Sequence, residues 1–294
     1  MTLSRRRFLT ISAASLVAGR AGADTTQWQG RALGGDVSLT LRGPRSVTEP
    51  ALRRALVVLA QVEDQFSLFD RASALSRLNA KGHLGKPDAM FNALMQAADR
   101  LHGQTSGLFD PSVQPLWRAL AQGGDTAQAR RAIGWHRVRF DPDAITLAPG
   151  QALTFNGIAQ GFATDLVAQV MQEAGLTQTL VNIGEYRGTG GPWKLRLDDP
   201  THGPMGLRTL DNNSAVATSS PLATPLGGQG HILHASAPAR WSTVSIEADD
   251  ATTADGFSTA LTLAPEAVIR GVVGRYGIRR VTLIDPAGDL TTLT

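Results

Sequence analysis

Cysteine is absent from the 294 residues. That excludes a thiolate nucleophile, a thiolate metal site and an iron–sulfur cluster, so any metal must be held by oxygen or by the six histidines. Disulfides are excluded too, yet a domain of this size buries enough apolar surface without them. Hydrophobic runs of spanning length are lacking near the start, where ISAASLVAG is too short to cross a bilayer, so no transmembrane anchor is expected. An excess of one charge sign is missing as well. The 28 Lys and Arg against 25 Asp and Glu give a sequence pI near 9.8. Arg5, Arg6, Arg7 and Arg20 all precede the first acid, Asp24; without them 24 basic residues face 25 acidic ones, a net charge of −1. No basic stripe interleaved with aromatics occurs, and nucleic acid is not an expected partner. No long linker, low-complexity tract or internal repeat divides the chain.

What is present begins with an address. SRRRFLT (Ser4 to Thr10), the run ISAASLVAG, Arg20 and the small residues Ala21-Gly22-Ala23 follow the order of a twin-arginine export signal with its cleavage site. Residues 1–23 are therefore expected to be a signal peptide. Residues 24–294 are expected to be one exported, soluble domain of the periplasm.

Periodicity places the elements. A strand is predicted over Asp36 to Leu41, and helical spacing over Thr48 to Phe66 and over Asp88 to Leu101, with Asp88 as cap and Gly103 as stop. Shorter helical patterns cover Val113 to Gln122 and Thr126 to Ile133. HRVRFDPDAITLAPG reads as a hairpin across Asp141 to Ala144. A helix from Ile158 to Glu173 follows, then strands in TQTLVNI, PWKLRL, SAVATS, HIL and STVSIE. Helices near Ala254 to Leu263 and Pro265 to Tyr276 and a hairpin across DPAGD close the chain. Clustered strands with helices before and after predict an α+β fold, a single compact globule with a largely antiparallel sheet.

Four stretches concentrate small and polar residues. NGIAQGFATD (Asn156 to Asp165) sets Gly157 and Gly161 at a helix start, where free N–H groups can meet phosphate but where glycine serves packing equally well. VNIGEYRGTGG is a glycine-rich turn after a strand, and AVATSS puts hydroxyls after another. GQGHILHASAPAR carries His231 and His234; read as a strand, it would turn them to opposite sides, so they are not expected to chelate one metal. The fourth, TTADGFSTAL, has Asp255 and Thr259 four apart on one helical face beside the apolar residues Phe257, Ala260 and Leu261. An acid and a hydroxyl one turn apart suit a hard cation such as Mg²⁺. Taken alone, Asp255 is more often a first-turn acid favoured by the helix dipole, with Thr252 or Thr253 as cap.

In order, FSLFD…SALSRLN, GLFDPSVQPLW, NGIAQGFATD, LVNIGEYRG, AVATSS, HIL and ADGFSTAL resemble the FAD:protein FMN transferase (ApbE) family over essentially the whole chain after the signal. The resemblance implies a T-fold-like α+β domain that uses FAD as substrate and Mg²⁺ to attach FMN to a Ser or Thr of a target flavoprotein, releasing AMP. Carried over by position, the metal ligands are Asp255, Thr259 and the main-chain carbonyl of Ala159. Flavin and pyrophosphate contacts fall on Gly157, Ala159, Gln160, Gly161, Asn182, Gly184, Thr218, Ser219 and His231. His231 is the leading general-base candidate and Asp165 a second one. WQGRALGGDVSLTLRG, the GEYR turn and the export signal further resemble the periplasmic, NosX-like members linked to nitrous oxide reductase, which implies a membrane-bound flavoprotein as acceptor.

The chain departs from the family pattern in places. Gln160 stands where the family often has Lys, Gly184-Glu185-Tyr186 where it often has Gly-Gly-Asp, and Ala254-Asp255-Gly256 where it has Ala-Asp-Ala. After His231 the usual Asp-Pro-x-Thr-Gly is replaced by His234 to Pro238. Two other readings share the same residues: hydrolysis of FAD to FMN and AMP, and a non-catalytic flavin-binding or delivery protein.

Overall fold

The computed structural model describes residues 24–294, so the segment read as an export signal lies outside the described residues. A hairpin opens the fold. Thr25–Ala32 (β1) pairs antiparallel with Gly35–Arg42 (β2) across a two-residue turn, Leu33-Gly34, with φ of 51° and 80°. Positive φ at both positions matches the twist of a tight hairpin. Val37, Leu39 and Leu41 of β2 are buried, whereas β1 is largely polar and exposed. With no apolar alternation to read, β1 is missed by the sequence pattern, which starts a strand only at Asp36.

The main sheet runs β1, β2, β6 (Thr179–Asn182), β7 (Tyr186–Thr189), β10 (Ser214–Ser219), β13 (Thr243–Ala248), β14 (Ile278–Ile284) and β15 (Leu290–Leu293), each neighbouring pair antiparallel. Smaller pairings are β5 (Ala144–Thr146) with β3 (His83–Gly85) on one side and β4 (Arg139–Phe140) on the other, β8 (Trp193–Asp199) with β9 (Gly203–Leu210), and β11 (Pro225–Leu226) with β12 (Gln229–Gly230). The helices are α1 (Arg45–Phe66), α2 (Ala74–Lys81), α3 (Ala89–Gln104), α4 (Gln114–Gln122), α5 (Thr126–Ala132), α6 (Ala159–Glu173), α7 (Ala251–Leu261) and α8 (Glu266–Arg270). The expected α+β class with a large antiparallel sheet is what the chain adopts.

Side-chain alternation along the central strands builds two cores. Val181, Ala217, Val244 and Ile246 join Leu59, Val62 and Phe66 of α1, Ala163 and Val167 of α6, and Phe257 and Ala260 of α7. Leu180, Tyr186 and Val216, one residue out of step, point the other way and join Trp193, Leu195 and Leu210 of the β8–β9 hairpin.

Several boundaries differ from the pattern. α7 begins at Ala251, capped by Asp250, whose Oδ1 accepts the Thr253 N–H at 2.7 Å; neither Thr252 nor Thr253 is the cap. α3 runs past Gly103 and ends where the Thr105 hydroxyl donates to the Leu101 carbonyl at 2.7 Å. The helix expected to reach Tyr276 stops at Arg270, and turns carry the chain to β14. His231 is not on a strand: β12 ends at Gly230, and 231–240 has no regular structure. The opposite-sides argument for His231 and His234 therefore falls away.

Candidate active site

One cleft gathers the end of β10, the β6–β7 turn, the start of α6, one face of α7, the His231 segment and the aromatic stretch before α4. Gly157, Gln160, Gly184, Thr218, Ser219, His231, Asp255 and Thr259, all singled out from sequence, line it together. Asn182, Ala159, Gly161 and Asp165 do not.

Close helix packing builds the metal-candidate wall. A Cβ on Gly157 would stand 2.8 Å from the Thr259 Oγ1, and one on Gly161 would fall on the Ala251 carbonyl. Both glycines are needed so that α7 can approach α6 this closely, the packing alternative that the sequence left open. Gly161 is also the third residue of α6, where a helix leaves an N–H without an internal partner. That N–H donates to Asp255 Oδ2 at 2.9 Å, not to a ligand. Ser219 at the end of β10 pins the far side: its hydroxyl lies 2.8 Å from that of Ser258 and 3.3 Å from that of Thr259. At the departure Ala254-Asp255-Gly256, the missing methyl is replaced by the Leu101 side chain, which occupies the place of a Cβ on Gly256.

Asp165 lies outside the cleft lining and is bonded to α7 and β7. Its Oδ1 accepts from the Ala251 N–H at 2.9 Å and from the Arg187 guanidinium, and its Oδ2 from the Thr252 N–H at 2.8 Å and hydroxyl at 2.6 Å. Three of these four bonds come from the first turn of α7 and the fourth from Arg187 on β7, outside the cleft. Asn182 is likewise a brace: its Oδ1 accepts the Gly184 N–H at 3.1 Å and its Nδ2 donates to Ser38 and Tyr186. Ala159 is buried between Gly157 and Gln160.

His231 is held by its own segment. Its backbone N–H donates to the Pro221 carbonyl at 3.0 Å, and its Nδ1 lies 2.9 Å from the same oxygen. A carbonyl only accepts, so Nδ1 carries the proton in the neutral ring and Nε2 is the basic nitrogen. His234 turns away: its Nδ1 accepts the Ser236 and Ala237 N–H groups at 3.2 and 2.9 Å. Among the described residues there is no group of three or more His, Cys, Asp or Glu placed to hold a metal.

Sequence reasoning gave no role to Glu185. It lines the same cleft, is 6 % exposed, and its Oε2 accepts the Thr218 N–H at 3.0 Å. Asp255 is 3 % exposed. Burial pushes both carboxyls above the ordinary carboxylate range. At Asp255 the Gly161 N–H opposes that shift and the Asp165 charge adds to it; at Glu185 the Asp255 charge adds to it and the Thr218 N–H opposes. Among the described residues no Lys or Arg lines the cleft, which holds the carboxyl groups of Asp110, Glu185 and Asp255. Its apolar side, from Leu108, Phe109, Val113 and Trp117, comes from GLFDPSVQPLW, a motif the sequence offered without a role. The signal for both was an acid or aromatic inside a glycine- or proline-marked turn.

A sequence model of the ApbE family matches residues 33–279. The chain belongs to the ApbE family. Its relatives include the FAD:protein FMN transferase of Vibrio cholerae serotype O1 (strain O395), 27 % identical over 240 residues, 71 % of this chain and 72 % of that protein. The FAD:protein FMN transferase of Escherichia coli K12 is 22 % identical over 302 aligned residues, 90 % of this chain and 86 % of that protein. Two solved structures share the fold. The flavin transferase ApbE from Vibrio cholerae superposes with a TM-score of 0.79 at 21 % identity, covering 92 % of this chain and 97 % of the other. The Pseudomonas stutzeri flavinyl transferase ApbE in its apo form gives 0.78 at 23 %, covering 92 % and 94 %. Within this ApbE-family chain, two departures that lie far apart in sequence meet in space: a Cβ on Gly184 would stand 2.5 Å from the Gln160 Nε2, so the Gln160 amide lies on the turn that carries Glu185.

Proposed function

We propose that this chain transfers FMN from FAD to a Ser or Thr hydroxyl of a target flavoprotein, releasing AMP, with Mg²⁺ as the metal. The observation that carries this reading is the charge of the cleft. An anionic pyrophosphate does not enter beside these three acids in their ionised form, with no Lys or Arg among the described residues lining the cleft, unless a cation offsets them. The oxygen donors present fit a hard dication: the Asp255 carboxylate and the Thr259 hydroxyl one turn on, with the Ala159 carbonyl in the neighbouring turn of α6. When bound, such an ion neutralises pyrophosphate charge and stabilises the leaving phosphate.

The chain's own residues supply the rest. The aromatic and aliphatic wall of Phe109, Val113 and Trp117 takes the flavin end, and the cleft aligns FAD with the incoming hydroxyl. His231 Nε2 takes the hydroxyl proton as that oxygen bonds to the FMN phosphorus. The P–O bond to AMP then breaks, and AMP leaves with the bridging oxygen. Asp165 holds α7, and so Asp255 and Thr259, in register with α6. The sequence of residues 1–23, read as an export signal, supports a periplasmic site of action. With the GEYR turn it favours a membrane-bound respiratory flavoprotein of nitrous oxide metabolism as acceptor. No helix among the described residues is long and apolar enough to cross a membrane.

The test is purified chain with FAD, Mg²⁺ and a candidate acceptor domain. Flavin retained on the denatured acceptor together with AMP is the expected result. Free FMN and AMP regardless of acceptor would make the chain a hydrolase. Bound FAD that never turns over would make it a delivery protein.

A further inference from the structure

Glu185 is the one buried carboxylate of the cleft with no role in the reading above. It sits at the β6–β7 turn, while Asp255 sits on α7. The first turn of α6 touches Asp255 and the residue before Glu185: Gly161 donates to Asp255, and Gln160 packs its amide on Gly184. Among the described residues no Lys or Arg forms an ion pair with either acid. Two carboxylates closed into one cavity without a cationic side chain are costly unless something positive joins them.

A second observation points the same way. Gln160 is 5 % exposed, lines the same cavity as both acids, and its Nε2 is buried with no hydrogen-bond partner. A buried amide donor left without an acceptor is destabilising, so such groups mark places built for something more than the protein itself. The amide can serve either an oxygen of the ion's hydration shell or one of a phosphate.

We propose that Glu185 is a second carboxylate of the dication site, facing the ion directly or through one water, with the Gln160 amide ordering the oxygen shell between Glu185 and Asp255. This rests on the dication reading of Asp255 and Thr259. It goes further in assigning the charge of the site to two acids from different elements, which lets the chain take up a dication before FAD arrives. The absence of a positive side chain at position 160 is part of the same device, because an ammonium there would compete with the ion.

The experiment is Mn²⁺ binding to the purified chain without FAD, followed by electron paramagnetic resonance with Mg²⁺ as competitor. The chains compared are the parent, Glu185→Gln, Gln160→Lys and Asp255→Asn. Glu185→Gln keeps an oxygen acceptor for the Thr218 N–H, so a purely structural role would leave Mn²⁺ affinity unchanged. We expect Glu185→Gln to weaken Mn²⁺ by about ten-fold or more, and Gln160→Lys to weaken it similarly by charge alone, each with cooperative thermal unfolding retained. Affinity within about two-fold of the parent in Glu185→Gln, with binding lost in Asp255→Asn, overturns the role of Glu185 and leaves the site at Asp255 standing. Unchanged affinity in all three variants removes the dication site itself. Should Glu185→Gln fail to fold, Gln160→Lys decides, and parent-like affinity there overturns the proposal.

Discussion

At the scale of single residues, the cleft is controlled by protons on buried groups. Asp255 has its carboxyl raised by burial, so the folded chain holds a proton there that the unfolded chain has released. Stability without metal therefore falls as pH rises from the ordinary carboxylate range toward the raised value, because the unfolded state gains by ionising first. A dication binds the ionised form and reverses the trend. Scanning calorimetry of the metal-free chain should show Tm falling between about pH 5 and pH 8, with Mg²⁺ raising Tm more at the upper end. Asp255→Asn should flatten the metal-free slope and remove the Mg²⁺ effect. His231 makes a different prediction, since its Nδ1 faces the Pro221 carbonyl and Nε2 is the basic nitrogen. His231→Ala should lower the rate of acceptor labelling by about 10²-fold or more while Mn²⁺ affinity stays at the parent level, measured by single-turnover FMN transfer.

At the scale of elements, α7 decides the site, and its position depends on contacts from outside the helix. Asp250 caps it in the ordinary way, and Asp165 from α6 then collects the Ala251 and Thr252 N–H groups while pairing with Arg187 on β7. The Asp165 and Arg187 side chains are 18 % and 21 % exposed. Losing the acid strands a largely buried guanidinium and two N–H groups. Asp165→Ala should cost about 3 kcal/mol in urea unfolding, more than removal of an ordinary cap. Because α7 carries both Asp255 and Thr259, the same variant should also weaken Mn²⁺, and Asp165→Asn, which keeps an acceptor oxygen, should recover part of both losses. An acid that acted as base would show neither the stability cost nor the metal effect.

At the scale of the whole molecule, the sheet separates two functions by its two faces. One face is covered by α1, α6 and α7 and ends in the cleft; the other is closed by the β8–β9 hairpin around Trp193. Trp193 is 3 % exposed in a small core of its own. Trp193→Ala should therefore destabilise the fold by about 3–5 kcal/mol by chemical denaturation. Mn²⁺ affinity should stay unchanged below the transition, since no residue of that core lines the cleft.

The amphipathic helices α1, α3 and α6 and the half-buried strands were legible because apolar period is a local property of the chain. β1 and the full β8–β9 hairpin were not, since an exposed polar strand has no alternation to show. The ordered motifs brought Gly157, Gln160, Gly184, Thr218, Ser219, His231, Asp255 and Thr259 into one list, and the fold brings those same residues into one cleft. What sequence spacing could not reveal was how each lone pair is spent. Asp165 and Asn182 looked like site residues, but the chain folds their oxygens onto backbone N–H groups of α7 and of the Gly184 turn. Glu185 looked like a variation in a turn, yet the fold buries it in the cleft that holds Asp255. Residue type and order determined the elements and the family. Only tertiary structure decided which polar atoms are satisfied internally and which are left facing the cleft, because hydrogen-bond partners come from segments that lie far apart along the chain.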